Sequence, residues 1–536
     1  MSIKSLLYKN KKQFSIYLLA IFITTPANVL FTFALSNTFK IFEVDSPKEY
    51  FGIIIVSVLC MLAPIVLQLI SRFMRIGFMR DILVQVRLLA YDNLLETDTI
   101  TFKEKSQEEY QAELTSDINL FESDFFLSLL NLTFSLGSFI IGLIVLALLA
   151  PLLALTTAVA SFLLLALTYI FKDAAATSKN RVQVENSNYH KGLSNVLRGL
   201  ETIKLYGVEN IFSNKFKSDV NALEKAKDKN FSINNLQADI THWFASSYQI
   251  IAYIYAAYLL LNGHIKASQM VMIVNLVGQL TWTMISGFSF INRFKTSINI
   301  YNKITGHNIK QKLNLPFTFK DKLLVNNLSH QYGDNLVLNG INLEINKNEK
   351  VLIHGPSGVG KTSLLEAITN TLNYDNGTIT YDAINVKDLS EESYWSQVAY
   401  ARQEHFLFND SIKNNIILNK PFNKSKFNEI LQQLSLYEWI ESLPEKEDYE
   451  LKNNGNNISG GQRQRISLAR SLYQDKQILI LDEPSASLDD QTAYAVYKAI
   501  LQLDKTVICV SHRHLDYLEE RFDKVIKLEE SVENDE

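Results

Sequence analysis

Between Glu349 and Leu365 the chain reads EKVLIHGPSGVGKTSLL, an order of residues that few folds accommodate. Val351 to Ile353 is an apolar run with the pattern of a buried strand. It passes directly into Gly355, Pro356, Ser357, Gly358, Val359, Gly360, Lys361 and Thr362, and from Ser363 onward apolar residues recur at helical spacing. GxxxxGK[ST] therefore sits in the strand-loop-helix setting it requires. Its glycines let backbone N–H groups curl round a phosphate chain, and the helix N-terminus adds partial positive charge. Lys361 would reach the β- and γ-phosphates, and the Thr362 hydroxyl would ligate Mg²⁺. By itself the loop specifies a nucleoside triphosphate and no particular use for it.

The 536 residues allow several domains, and the 47% hydrophobic content is ordinary in amount but uneven in distribution. Long uncharged runs fill about the first three hundred residues, and the remainder has the composition of a soluble α/β domain. A formal net charge of -4 gives no electrostatic footprint for nucleic acid. Cys60 and Cys509 stand far apart in differently composed halves, which argues against a disulfide framework or metal site and fits a reduced compartment for the C-terminal half.

A helix needs about 20 apolar residues to cross a bilayer. Gln13 to Phe39 and Tyr50 to Ser71 each qualify. Phe125 to Phe171 is uncharged throughout and as one helix would run roughly 70 Å at 1.5 Å per residue, more than twice the core thickness. It must fold back, with Ala150-Pro151 as the corner. Ile240 to Gly263 and Ala267 to Asn292 complete six spans. The first run is too long for a secretory signal and lacks a small-residue cleavage site.

Lys4, Lys9, Lys11 and Lys12 precede the first span, and Arg72 to Asp124 and Lys172 to Asp239 are long segments rich in Lys and Arg. Only Lys40, Lys48 and Lys266 lie on the other side. The positive-inside rule then puts both termini in the cytoplasm, with the spans in the inner (plasma) membrane. The two long segments contain no proline and read as membrane helices continuing into the cytoplasm, each pair joined at a tip that a soluble ATPase can grip. No Asp, Glu, Lys or Arg falls inside a span, so no proton relay announces itself. Polar residues such as Thr24, Thr25, Asn275 and Gln279 read either as hydrogen-bonding glue between helices or as ligand contacts.

Between Thr296 and Thr318 the apolar runs give way to polar residues, so residues 1–310 are expected to form a transmembrane domain and residues 311–536 a nucleotide-binding domain. Leu323 to Leu328 and Leu338 to Ile345 suggest an antiparallel strand group. Tyr332, between them, reads equally as an adenine-stacking ring or an ordinary strand tyrosine. Gln403 sits at a strand-to-loop transition and alone means nothing. Ser459 would cap the helix that follows, and Gly460 and Gly461, with Gln462 next, let its N-terminus approach a second phosphate group. Since the first loop already holds this chain's nucleotide, the second most economically serves a neighbour's. QILIL then forms a buried strand ending in Asp482, which can hold Mg²⁺ through water, and Glu483, which can act as general base. Ser487, Leu488 and Asp489 follow in a turn, and TVICVSH ends one more strand at His512, on the edge where parallel sheets bind ligands.

Taken as an ordered set, these residues resemble the ATP-binding cassette family over nearly the whole chain. Walker A is Gly355 to Thr362, the Q-loop residue Gln403, the signature Ile458 to Gln462, Walker B ends in Asp482 and Glu483, the D-loop is Ser487 to Asp489, and the switch residue is His512. The arrangement looks like an exporter-type half-transporter: an all-α domain of six transmembrane helices fused ahead of an α/β P-loop NTPase domain. The resemblance implies that Tyr332 stacks on adenine, that Gln403 links the Mg²⁺ site to the membrane domain and that His512 contacts the γ-phosphate. It also implies coupling regions near Tyr110 to Asp117 and Leu200 to Glu209.

Ile458 replaces the usual leucine, a conservative swap, whereas Asn453 stands where many exporters carry a glutamate, two residues before Gly455, the glycine that precedes the signature. No regulatory domain is expected in the short acidic tail, and no peptidase domain ahead of a span that begins about a dozen residues in. The family resemblance implies a homodimer or heterodimer in the lipid bilayer that binds ATP and Mg²⁺. It would export a hydrophobic or amphipathic small molecule, lipid or peptide by alternating access. An importer of the same fold and a membrane ATPase that regulates a partner are the alternatives.

Overall fold

The computed structural model describes residues 3–9, 11–306 and 317–529. The expected boundary at 310/311 and the acidic tail beyond Glu529 lie outside the described residues. The chain divides into two compact units, residues 1–95 with 107–307, and residues 96–106 with 308–536.

The first unit is helical. Its main elements are α1 (Lys11–Phe22), α2 (Ala27–Phe39), α3 (Pro47–Leu95), α4 (Leu127–Leu149), α5 (Pro151–Ile170), α6 (Lys172–Arg198), α7 (Glu209–Leu261) and α8 (Ala267–Thr305). Among the described residues, Lys11–Glu43, Pro47–Leu95, Gln107–Leu149, Pro151–Ile170 and Glu209–Leu261 are long and apolar enough to cross a membrane. α8 carries the remaining uncharged run, Ala267 to Asn292. At 49 and 53 residues, α3 and α7 extend well past their apolar runs. Ala150 leaves helical geometry and Pro151 opens α5, so the long run turns where its proline demands.

The first uncharged run is not one straight helix. Pro26 has no N–H to donate and its ring opposes the preceding turn, so α1 stops at Phe22 and α2 restarts at Ala27. The Thr24 and Thr25 hydroxyls donate back to Ile21 O and Phe22 O at 2.7 and 2.8 Å, satisfying carbonyls that a continuous helix would have used. Ser138 donates to Thr25 O at 2.8 Å. Gly137 permits that approach, because a Cβ there would lie 2.4 Å from Thr25 Cγ2.

Other polar groups within the spans also find one another. Ser36 donates to Ser268 O at 2.6 Å, Asn37 to Ser57 Oγ at 3.1 Å, and the hydroxyls of Thr157 and Tyr248 lie 2.7 Å apart. These bonds tie helices together where the bilayer offers no competing water.

The second unit contains β1 (Lys322–Tyr332), β2 (Asn335–Asn346), β3 (Lys350–His354), α9 (Lys361–Ile368), β4 (Asn376–Tyr381), β5 (Ile384–Asn385), β6 (Val398–Ala401), α10 (Gly460–Tyr473), β7 (Ile478–Asp482), α11 (Asp490–Leu501), β8 (Thr506–Val510) and β9 (Lys524–Lys527). An antiparallel sheet runs β2-β1-β4-β5 and a parallel sheet runs β6-β7-β8-β3-β9. β7 and β8 are buried along their whole length, as apolar runs in a doubly covered parallel sheet must be. Because β3, β7 and β8 are parallel neighbours, their C-terminal ends emerge on one edge.

Glu96–Ser106, from the tip beyond α3, belongs to this second unit. The N–H of Thr99 donates to Glu391 Oε1 at 2.8 Å, and Lys103 Nζ donates to Glu366 Oε1 on α9 at 2.6 Å and to Thr371 O at 3.2 Å. Tyr110 to Asp117 and Leu200 to Glu209, which the family resemblance marks for coupling, both fall in the first unit. Leu205 and Tyr206 are exposed there.

Candidate nucleotide site

β3 delivers the chain into a loop that depends on its glycines. Gly360 has φ +94°, and a Cβ on it would lie 2.7 Å from Val337 O. Gly355 is closer still to its surroundings, with Leu528 O 2.3 Å from where a Cβ would stand. Lys361 is buried and arches back over the loop, donating to Gly355 O at 2.9 Å and Pro356 O at 2.6 Å. These are neutral acceptors that a phosphate oxygen would outcompete, because a charge-assisted bond is the stronger. The β1–β2 hairpin, which supplies Val337, also carries Tyr332 at its turn. The Tyr332 ring is about half exposed and meets His330 edge-on at 4.6 Å.

β7 brings Asp482 beside the start of α9. Thr362 donates its hydroxyl hydrogen to Asp482 Oδ2 at 3.1 Å, while Asp482 Oδ1 is buried without a hydrogen-bond partner among the described residues. Burial pushes the Asp482 carboxyl above its ordinary range, with the Thr362 bond opposing that rise. An orphaned carboxylate oxygen inside a protein is costly unless something positive or hydrogen-bonding meets it. The pair Thr362 and Asp482 therefore fits a hard divalent cation such as Mg²⁺.

Glu483, the next residue, sits at φ +52°, a left-handed conformation unusual for a residue with a Cβ. Its N–H donates to Val510 O at 3.0 Å. Gln403 Nε2 donates to Glu483 Oε2 at 3.1 Å, and His512 Nδ1 lies 2.9 Å from Glu483 Oε1. Both carboxylate oxygens are thus oriented by residues from two other strand ends, and the expected base, Q-loop and switch residues form one cluster.

Ser459 caps α10, accepting from the Gln462 N–H at 3.2 Å, while Gln462 Oε1 accepts from the Ser459 N–H at 2.9 Å. Ser459 and Gly460 are exposed, and Gly461 packs close to Ser487, whose carbonyl oxygen would be 3.0 Å from a Cβ. Asp489 caps α11 by accepting from the Thr492 N–H at 3.0 Å, a bond that holds its carboxyl below the usual range.

Three supporting residues escaped sequence reasoning. Gln464, buried in α10, donates to Glu483 O at 2.8 Å and accepts from the Ser487 N–H at 2.9 Å. Arg513 donates to Ala486 O and Leu488 O at 3.3 and 3.2 Å, and Arg470 to Phe406 O at 2.9 Å beyond Gln403. Gln464 shares the face of α10 that carries Leu468 and Leu472, so an amide on an apolar stripe was its available signal. In the asparagine-rich turn that replaces the expected glutamate, Asn454 Oδ1 accepts from the Leu407 N–H at 2.7 Å, joining that turn to the Q-loop.

Residues 338–486 match the family model for the ABC transporter, and residues 14–284 match that for the ABC transporter transmembrane region. The chain belongs to the ABC transporter family. It is accordingly a nucleotide-binding membrane protein, with the helical and P-loop domains in the order the family has them. The solved structure of a bacterial Atm1-family ABC exporter with ATP bound shares the fold, with a TM-score of 0.83 over 97% of this chain and 93% of that one at 17% identity.

Among curated relatives, this ABC transporter chain is 37% identical over 198 residues to the ATP-dependent lipid A-core flippase of Desulfotalea psychrophila, covering 36% of this chain and 35% of the flippase. It is 27% identical over 397 residues to the lactococcin-G-processing and transport ATP-binding protein LagD of Lactococcus lactis, covering 70% and 55% respectively. The matched part thus spans between about a third and just over half of these relatives' length.

Proposed function

We propose that the chain is one half of an ATP-driven exporter, and that it hydrolyses ATP at a site shared between two such halves. The observation that carries this reading is the Glu483 carboxylate, held on one oxygen by Gln403 and on the other by His512 at the sheet edge where the phosphate loop begins.

In this reading Lys361 exchanges Gly355 O and Pro356 O for β- and γ-phosphate oxygens, the N–H groups from Gly355 to Ser363 wrap the phosphates, and Tyr332 stacks on adenine. Thr362, Gln403 and Asp482 would hold Mg²⁺, which when bound neutralises charge on the phosphates. Glu483 takes a proton from the attacking water, Gln403 keeps the carboxylate turned toward it, and His512 shifts to the γ-phosphate.

The exposed start of α10, with Ser459, Gly460, Gly461 and Gln462, closes over the nucleotide of a second copy or a similar partner, and Asp489 lines the same junction. Nucleotide drives that closure only by binding the closed state better, and reversing a 1:99 population takes about 5.5 kcal/mol of differential affinity. The membrane is the inner (plasma) membrane, with both termini in the cytoplasm. The cargo is hydrophobic or amphipathic, a drug, lipid or small peptide, because the spans are uncharged. The flippase and bacteriocin-transport names of the relatives agree with lipid or peptide cargo.

Complementation tests the shared site. Chains carrying Lys361→Ala and chains carrying Ser459→Arg should each be inactive as ATPases when purified alone. Co-expressed, they form mixed dimers with one site free of either change, and ATP hydrolysis should return. Continued inactivity of the mixture, or full activity of Ser459→Arg alone, overturns the shared-site reading. ATP-dependent accumulation of cargo in inverted vesicles tests export itself.

A further inference from the structure

A cavity of about 420 Å³ in the first unit lies between the α1–α2 turn, α3 and α4. Its lining contains Arg72 and Arg75, one helical turn apart on α3, with the carboxamides of Gln68 and Asn131. Residues three apart share a helix face, so the two guanidiniums repel each other unless an anion stands between or beside them. Other cations in the unit have that relief. Arg80 pairs with Asp81 at 2.8 Å, Arg181 with Glu185 at 2.6 Å and Lys303 with Asp117 at 2.8 Å.

Among the described residues, no carboxylate stands within ion-pair distance of Arg72 or Arg75. Arg75 Nε donates to the carbonyl and hydroxyl of Ser71 at 3.2 and 3.1 Å, which fixes one edge of its guanidinium and leaves the Nη edge without a protein acceptor among those residues.

Depth narrows what the anion can be. The uncharged run Tyr50 to Ser71 ends directly before Arg72, so the pair stands where hydrocarbon gives way to headgroups. Leu69 and Phe134 complete the wall beside the cations. Arginines that merely snorkel reach out into the headgroup layer and need neither a walled cavity nor amide donors. The volume is enough for a headgroup and its first carbons and too small for a whole lipid.

We propose that this cavity binds the phosphate of a membrane amphiphile. The guanidiniums grip its oxygens in the two-pronged geometry that suits phosphate, Gln68 and Asn131 donate to it, and the chains leave past Leu69 and Phe134. The proposal rests on the export reading and deepens it, since it gives the cargo an anionic headgroup.

The test is binding to the purified full chain in uncharged detergent, read by native mass spectrometry. The probes are dioleoyl phosphatidic acid, dioleoylglycerol, which has the same chains without the phosphate, and inorganic phosphate. Phosphatidic acid should bind about tenfold or more tightly than dioleoylglycerol, and the double variant Arg72→Gln with Arg75→Gln should lose that advantage.

Equal binding of the two lipids, or an advantage that survives the double variant, reduces the contact to ordinary lipid packing and overturns the proposal. Displacement of phosphatidic acid by comparable inorganic phosphate overturns the amphiphile in favour of a free-anion site. If the double variant does not fold, the comparison of the two lipids on the unmodified chain decides by itself. Basal ATPase of the unmodified chain and its transport into vesicles read the export proposal separately: their loss beside intact phosphatidic acid binding condemns export alone, and the converse condemns this site alone.

Discussion

The side chain of Gln464 bridges two loops of the nucleotide site, donating to the carbonyl oxygen of Glu483 at 2.8 Å and accepting from the Ser487 N–H at 2.9 Å. One amide therefore fixes both the strand end that carries the proposed base and the turn that follows it. Because Gln464 is 1% exposed, water cannot replace either bond. Gln464→Leu should lower kcat for ATP by about tenfold or more while leaving KM nearly unchanged, since it touches no expected nucleotide contact. An unaltered kcat in steady-state assays would show that the bridge is purely structural.

Replacing Glu483 by Gln removes the proton acceptor but keeps a side chain of the same shape between Gln403 and His512. Turnover should fall by roughly a hundredfold or more, with nucleotide-driven association of the nucleotide domains retained. Crosslinking between exposed positions near Ser459 reports the association, and undiminished hydrolysis would reject Glu483 as base.

Gly358 and Gly360 separate backbone strain from steric exclusion. Both have positive φ, +86° and +94°, but a Cβ on Gly358 meets nothing within 4 Å, whereas one on Gly360 would be 2.7 Å from Val337 O. Gly358→Ala should cost about 1 kcal/mol. Gly360→Ala must also push the β1–β2 hairpin away, so it should lose the ATP-induced rise in melting temperature that Gly358→Ala keeps. Equal behaviour of the two variants would contradict the close approach.

Burial pushes the His405 imidazole down to about 4 from 6.5, helped by Arg463 and Arg470, and its Nδ1 has no hydrogen-bond partner among the described residues. As pH falls below 6.5 the unfolded chain takes up a proton that the folded one refuses until about 4, so stability is full above 6.5 and declines across that window. His405→Gln should flatten this part of the melting profile between pH 7.5 and pH 5. A profile as steep as the unmodified chain's would sink the assignment.

Much of the nucleotide site was legible because its signals are local. The phosphate loop, the capped signature and the Asp482-Glu483 strand end each lie within a few consecutive residues whose spacing has a direct physical reading. The corner at Ala150-Pro151 was equally plain. The break at Pro26 was missed because a search for uncharged residues passes over a proline, although the proline itself marked the interruption. The contacts of the tip beyond α3 were not legible for a different reason. Thr99 and Lys103 join the nucleotide unit through Glu391 and Glu366, partners 292 and 263 residues away, and nothing in the tip itself records them.

The residues in order were enough to determine a chain of uncharged helices followed by a P-loop domain, since helix length, uncharged runs and glycine spacing act within one element. Tertiary structure alone decided which side chains share a carboxylate and which stay unpaired. Gln403 and His512 meet on the Glu483 carboxylate because parallel strands end together, Gln464 reaches the Glu483 backbone carbonyl from α10, and Arg72 and Arg75 share a cavity with Asn131 because α3 and α4 both pack against α1. Such meetings depend on how whole elements pack, and no periodicity within a single element encodes them.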